Sequence, residues 1–514
     1  MNGGGRGLFP LAVAWSCAAT LIACTARHDG AGRDASSVTI LYSYGDERII
    51  GPVEADAARF LVFLPLVEEN DTGGVEGRLA QRWSHSQDFR VWTFHLRQGV
   101  RWQDGVPVTA HDIAFTLDLY RHPAMSWDAP NAYRVRVRDD STLIIAYPKR
   151  PKDPFHGWKV FWPKHLLQRL DPNQINSWDF WVHPVGDGPY RYVRHVPKTM
   201  IELEANPDFY AGKPRIRRVI LKFGGTRPIV ELLSGNVDAV DNFNEADLPR
   251  IAADRRFRVY YHLNLYGLVT IFWNHRSPLF DNARVRQALT LGIDRHELPR
   301  LLNLPQDLRI ADAVFTRRQY GRHELPEPLP YDPDSAARLL DAAGWRDNDG
   351  DGVRERGGRA FRFVALAPGG LVEGRAAVYV QAQLRRIGVR MDVQTMETGM
   401  VGPRLRAGAF EAAFFRFWNT TKGHLEWLGE GSPIGYRNPR MARLLRAAEA
   451  ATDPDEIDGI YRSLMPLFRA DLPVTFLFPE VEAVVAHRRI RGLRSPDEAD
   501  PIMMMEHLWL EDER

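Results

Sequence analysis

Three carboxylates stand at alternate positions in Asp347-Asn348-Asp349-Gly350-Asp351-Gly352. The spacing matches the first half of a calcium loop, where such side chains converge on one hard cation. The twelfth position, which needs a bidentate Glu, is Gly358, and Glu355 reaches only the ninth. Asp347, Asp349 and Asp351 are the candidate metal ligands. The alternative is a tight acidic turn between a helix ending near Trp345 and a strand at Phe361, which Asp and Gly suit without any ion. No other metal or cofactor site is expected, since the 16 histidines show no close pairing. Compact catalytic signatures are missing. There is no G-x-x-x-x-G-K-[ST], no G-x-S-x-G, and no G-x-G-x-x-G after a strand. His296-Glu297 and His323-Glu324 do not continue to H-E-x-x-H. The only cysteines are Cys17 and Cys24, so the body of the chain has no disulfide, thiolate metal site or cysteine nucleophile. The reading is a non-enzyme, with scattered catalytic groups as the alternative.

The chain has 514 residues, 44% hydrophobic and 26% charged, with 67 Lys and Arg against 65 Asp and Glu. That apolar content and near-neutral charge exclude a disordered chain and argue against a nucleic-acid binder. The length predicts roughly two to four domains.

At the amino terminus, Arg6 precedes a nearly charge-free run from Leu8 to Ala23. It is short for a membrane span, which needs about 20 residues, and suits an export signal. Leu21-Ile22-Ala23-Cys24 resembles the bacterial lipobox, which implies cleavage before Cys24 and lipid on its thiol. Residues 1–23 are then a signal peptide and 24–37 a small, polar tether. An ordinary signal peptide with a chance Cys is the alternative. No later stretch has 18 consecutive apolar residues, so the only expected membrane attachment is the anchor.

In the body, Val38–Tyr44 and Trp92–Arg97 read as strands; in the second, Trp92, Phe94 and Leu96 alternate with polar residues. Thr109 and Asp112 have capping-box spacing and open a helix to about Tyr120. Further helices are expected from Ala283 toward Leu302 with a break near Pro299, from Asp332-Pro333 to Gly344, from Arg375 to Ile387, and after Asn438-Pro439 and Asp453-Pro454. Strand runs lie at 219–223, 268–273, 361–365, 389–394, 411–418, 474–478 and 481–487. The alternation reads as α/β.

Residues 92–112, WTFHLRQGVRWQDGVPVTAHD, resemble the signature of the family 5 extracellular solute-binding proteins, the oligopeptide, dipeptide and nickel receptors of ABC importers. Further resemblances follow in the family's order: Gly186–Tyr190, Asn206–Tyr210 with Gly212-Lys213-Pro214, and Leu233–Asp238. Phe272-Trp273-Asn274, Val285–Leu289 with Ile293-Asp294-Arg295, Tyr331–Pro333 with Ala343-Gly344-Trp345, and Gly435–Pro439 complete the set. The resemblance implies a large, cluster C type, periplasmic-binding-protein-like fold with two lobes closing over a ligand and an extra subdomain in the first. Lobe I would span 38–265 with the subdomain at about 51–185, lobe II 266–479, and residues 480–514 would return to lobe I. The crossing hinge would lie near 263–272 and 478–485. Gly186 and Gly188 would allow a turn where the chain passes between lobes. The implied function is a monomeric, lipid-anchored, periplasmic or cell-surface binder of a peptide or peptide-like solute, with ABC permease subunits as partners. A secreted hydrolase or a ligand sensor using the same cleft is the alternative.

Peptide receptors of this family follow a Trp at the end of a lobe II strand with an Asp that pairs with the peptide ammonium. Here Trp418 is followed by Asn419, Thr420, Thr421 and Lys422, and Thr421 stands where the Asp is expected. Arg416 and Lys422 make the stretch basic, so a ligand without a free amino terminus, or an anionic one, is expected; Glu426 serving the ammonium is the alternative. The candidate ligand contacts are Trp418, Asn419, Thr421, Tyr44, Arg416, Tyr436 and Trp273. Trp92, Phe94 and Trp102 are expected in the core.

Overall fold

The computed structural model describes residues 36–42, 59–69, 75–125, 133–152, 154, 159–224, 227–306, 308, 310, 312–315, 327–493 and 505–511. The signal peptide, Cys24 and Tyr44 lie outside them. Strand β1 (Ser37–Leu41) precedes a four-stranded sheet of β2 (Ala80–His85), β3 (Val91–Leu96), β4 (Arg134–Asp139) and β5 (Thr142–Ala146), in the order β2-β3-β5-β4. Helix α1 (Ala110–Tyr120) lies against this sheet. It begins where the capping box predicts: Asp112 Oδ2 accepts the Thr109 N–H at 2.8 Å. Trp92, Phe94 and Leu96 turn inward with Ile113, Leu117 and Phe161 to form a separate apolar core.

The chain continues through β6 (Tyr190–Val196), β7 (Met200–Ala205), β8 (Arg218–Lys222), β9 (Ala239–Phe243) and the long β10 (Phe257–Trp273). Helices α2 (Ala283–Leu291) and α3 (Pro333–Ala342) lead to β11 (Arg362–Pro368), α4 (Val372–Arg386), β12 (Arg390–Met396) and β13 (Ala412–Trp418). Helices α5 (Thr421–Leu428), α6 (Pro439–Ala450) and α7 (Pro454–Asp471) precede β14 (Val474–His487). Asp332, Asn438 and Asp453 each cap the following helix by accepting a backbone N–H, and Gly344, at φ +83°, lies just beyond the end of α3. Helix α2 stops at Gly292, earlier than expected. Pro299 does not break it but sits in the first turn of a separate short helix, Leu298–Leu301, where its missing N–H is harmless.

Among the described residues, ten strands form one sheet in the order β12-β11-β13-β10-β14-β9-β1-β8-β7-β6. Strands β10 and β14 run antiparallel along each other and join its two halves. One half buries Val38, Ile40, Leu203, Val219 and Leu221; the other buries Val269, Ile271, Phe363, Ala365 and Phe414. The result is a two-lobed α/β fold with the four-stranded sheet as an extra subdomain.

The two runs expected at 474–478 and 481–487 are one strand. Pro479-Glu480 reads as a break because Pro cannot donate to a ladder. Here the ladder is already irregular: Asn264 pairs with Glu480 and Leu268 with Pro479, so residues 265–267 bulge out beside Pro479. Gly186 and Gly188 do not lie at a passage between lobes. A Cβ on Gly186 would be 1.9 Å from the Val62 carbonyl oxygen, and that oxygen accepts the N–H of Asp187 (3.0 Å) and Gly188 (2.8 Å). These glycines allow close backbone approach inside lobe I.

Candidate functional site: the cleft at the crossing strands

Strands β11, β12 and β13 are parallel, as are β1, β8 and β9. In such sheets ligands bind beyond the carboxyl ends of the strands. Strand β13 ends at Trp418, opposite Gly267, inside the β10 bulge. Strand β9 ends at Phe243, opposite Ala483. Both sets of carboxyl ends therefore point at the middle of the β10–β14 ribbon, where its register breaks.

Trp418 stands at this place with 45% of its surface exposed, far more than the surrounding aromatics. The chain just after it is held firmly. Asn419 is buried; its N–H donates to the Tyr266 carbonyl at 2.7 Å. Its Oδ1 lies 2.9 Å from His424 Nε2, and His424 Nδ1 lies 2.9 Å from the Tyr461 hydroxyl. Burial pushes His424 down to about 3, so the ring is neutral. With an amide oxygen at Nε2, the ring proton sits on Nε2 and Nδ1 accepts from Tyr461. Thr421 Oγ1 lies 3.3 Å from the same Tyr461 hydroxyl, and Thr420 caps α5 by accepting the Gly423 N–H at 3.1 Å. A Cβ on Gly423 would meet the Trp418 carbonyl oxygen at 2.1 Å, so glycine lets α5 approach the strand end. Asn419 and Thr421 thus fix the backbone that presents Trp418.

Arg416 does not make the cleft basic. Its Nη1 is 2.6 Å from Glu480 Oε1 and its Nε is 3.3 Å from Glu373 Oε1. Glu480 comes from the middle of β14 and Glu373 from the first turn of α4. Asn264 Nδ2 donates to Glu480 Oε2 at 2.9 Å. Burial raises Glu480 to about 7 against the attraction of Arg416, with Glu482 and Glu373 adding repulsion. The expectation of an anion site on Arg416 is corrected accordingly: two carboxylates face the guanidinium. Glu426 is taken by Arg406 at 2.9 Å.

Two expected contacts belong to the core. Trp273 is fully buried and its Nε1–H donates to Thr475 Oγ1 at 3.0 Å. Tyr436 is buried with its hydroxyl 2.5 Å from Asp471 Oδ2. Neither offers surface to a ligand. Asp347, Asp349, Asp351 and Glu355 do bring carboxylate oxygens within 4.8 Å of one another. The same carboxylates accept loop N–H groups, from Gly350 and Gly352 to Asp347, Asp351 to Asp349, Val353 to Asp351 and Asn348 to Glu355. That is how an acidic turn closes on itself.

Glu373, Glu480, Asn264 and Gly267 were not among the expected site residues. The signals were two acidic residues, Glu480 and Glu482, inside the otherwise apolar run 474–487 and a glycine inside a strand, where glycine marks a bulge or a close approach.

Away from the ribbon, the subdomain touches lobe II. Arg150 pairs with Asp453, and Lys152 Nζ lies 3.3 Å from Glu449 Oε2. The Arg150 guanidinium sits 3.9 Å over the Phe89 ring. Asp453→Asn keeps the helix cap and removes the charge. Partly exposed pairs of this kind contribute about 0.2–1 kcal/mol. Ligand release, followed by stopped-flow fluorescence, is expected to quicken about two- to five-fold at low salt and to match the wild type at high salt. Unchanged release at low salt would mean the pair does not hold the lobes together.

A family model described as bacterial extracellular solute-binding proteins, family 5 middle, matches residues 74–428. The oligopeptide-binding protein AppA of Bacillus subtilis is 23% identical over 440 residues, covering 81% of this chain and 80% of that protein. Among solved structures, the ABC transporter substrate-binding protein CtaP of Listeria monocytogenes superposes with a TM-score of 0.76 at 20% identity, covering 92% of this chain and 99% of that one. NikA of Brucella suis, solved with Fe(III)-EDTA, gives 0.75 at 20% identity over 92% of this chain and all of that one. With a family match over most of its length and the same two-lobed fold, the chain belongs to the family 5 bacterial extracellular solute-binding proteins.

Proposed function

We propose that this protein is the substrate-binding subunit of an ABC importer, capturing a peptide or peptide-like solute between its lobes and delivering it to the permease. The observation that carries the reading is the convergence of both sets of strand carboxyl ends on the register break of β10 and β14, with Trp418 exposed beside it. A break in the strands joining two lobes is where a hinge can bend. The names of relatives, an oligopeptide-binding protein and several ABC transporter peptide-binding proteins, support the cargo class. Lobe I is assigned to 38–265, lobe II to 266–479 and the return segment to 480–514. The protein performs no chemistry; its work is capture, closure and docking as a monomer. Lipid on Cys24 would hold it at the membrane surface, and Cys24→Ser is expected to move it from the detergent to the aqueous phase on phase separation.

Native mass spectrometry of the full chain in mild detergent tests the cargo. The expected result is a series of peptide masses released on mild denaturation; a single non-peptide mass would overturn the peptide reading. Trp418→Ala is expected to weaken retention of that cargo by about 30-fold or more, as for a central aromatic anchor. Unchanged retention, measured by the same mass shift, would remove Trp418 from the site.

A further inference from the structure

The β10–β14 ribbon carries an unusual polar patch where its register breaks. Register places His262 opposite Glu482 and Asn264 opposite Glu480, so four polar side chains share one face of the ribbon. Tyr261 and Leu263, on the other face, lie against apolar core. Glu373 adds a further carboxylate that is only 2% exposed. One of its oxygens meets Arg416, while Oε2 is buried with no hydrogen-bond partner. A buried carboxylate oxygen without a donor is costly, and most such atoms are paired. The arrangement is also built around a glycine. A Cβ at position 267 would lie 2.1 Å from Glu480 Oε2 and 2.9 Å from Glu480 Cβ, so Gly267 reserves the space the carboxylate occupies.

We infer that Glu373 and Glu480, positioned by Arg416, Asn264 and Gly267 beside the Trp418 indole, recognise a positively charged group of the captured solute, a primary ammonium or a guanidinium. The inference rests on the cargo reading above and deepens it. A ligand N–H would supply the donor that Glu373 Oε2 lacks. It would also balance a cluster in which two carboxylates share one guanidinium, and a charge-assisted hydrogen bond of this type is about twice as strong as a neutral one. Thr421, tied to Tyr461, is left out of this recognition. Because Glu480 lies at the register break, the charge of the cargo acts directly on the segment that bends. Glu480 titrates near 7 while facing Arg416, Glu373, Glu482 and Asn264. A cation would therefore bind more tightly as Glu480 loses its proton. The gain is about ten-fold between pH 5.5 and 7, below the range where a peptide amine, at about 7.7–8.0, loses its own charge.

Two random hexapeptide libraries without Lys or Arg, one with free amino termini and one N-acetylated, compete for the full chain at pH 7. Captured peptides are read by native mass spectrometry. Free-amine peptides are expected to be enriched about 30-fold. Glu480→Gln and Glu373→Gln should each abolish the enrichment and the pH dependence. Glu480→Asp should retain part of both. A melting transition for each variant shows that it is folded; if Glu480→Gln has none, the Glu373→Gln and Glu480→Asp pair decides. Equal capture of both libraries, or enrichment that survives both Gln variants, overturns the inference while leaving peptide capture standing. Capture of neither library overturns the inference and the peptide reading together.

Discussion

Asp312→Ala is expected to destabilise lobe II by about 3–5 kcal/mol, the usual cost of stranding one member of a buried ion pair. Asp312 and Arg295 are both almost fully buried and meet through two contacts, 2.5 and 3.0 Å. The pair also organises backbone around it. Arg295 donates to the carbonyls of Phe476 (3.0 Å) and Leu329 (2.9 Å), while Asp312 Oδ2 accepts the Leu329 N–H at 2.6 Å. Phe476 belongs to β14, so one guanidinium ties the segment around Leu329 to a crossing strand. Without Asp312 the charge keeps only neutral acceptors and the Leu329 N–H loses its partner. Urea unfolding at pH 7 measures the loss. The double variant Arg295→Met/Asp312→Leu should recover most of it, because matched apolar side chains often replace such a pair without penalty. A loss below about 1 kcal/mol in the single variant would show that the pair does not hold the lobe.

Glu480→Gln should stabilise the protein at pH 8 by roughly 3 kcal/mol and by almost nothing at pH 4.5. Glu480 has a folded-state value of about 7 against an ordinary 4.5. Below 4.5 the carboxyl is protonated whether the chain is folded or not, and burial then carries no charge penalty. Between 4.5 and 7 the unfolded chain releases its proton while the folded chain keeps it, so stability falls as pH rises. Above 7 the full penalty is present. Glutamine removes the titration, and Arg416 keeps Glu373 as a partner. Denaturation midpoints from pH 4.5 to 8 should converge at the acid end and separate at the alkaline end. Parallel curves would show that Glu480 ionises normally. A residue that weakens the fold at the register break of the crossing strands fits one kept for binding.

The sequence was most legible where punctuation is local. Thr109 with Asp112, Asp332-Pro333, Asn438-Pro439 and Asp453-Pro454 each open a helix because capping depends on residues within one turn. The crossing strand was misread at Pro479 because the bulge that accommodates it comes from the partner strand, more than 200 residues away. The site was legible at Trp418 and obscure around it. Arg416 counts as basic in a linear reading, while Glu373 and Glu480 reach it only through the fold. Trp273 and Tyr436 show the converse error. An aromatic side chain in a family motif reads the same whether it lines a cleft or fills a core, and only Thr475 and Asp471 beside them reveal the second.

The position of β14 bears on how the molecule assembles in time. It lies between β10 and β9, so among the described residues the last long strand to be synthesised is the one that completes the middle of the sheet. Until residues 474–487 emerge, β9 and β10 both present unpaired edges, and those edges invite pairing with other chains. Every pairing that β14 makes with β9 bridges more than 230 residues, and such distant closure is slow. Folding is therefore expected to finish late and all at once, and a chain stopped before Val474 should aggregate rather than yield two separate lobes.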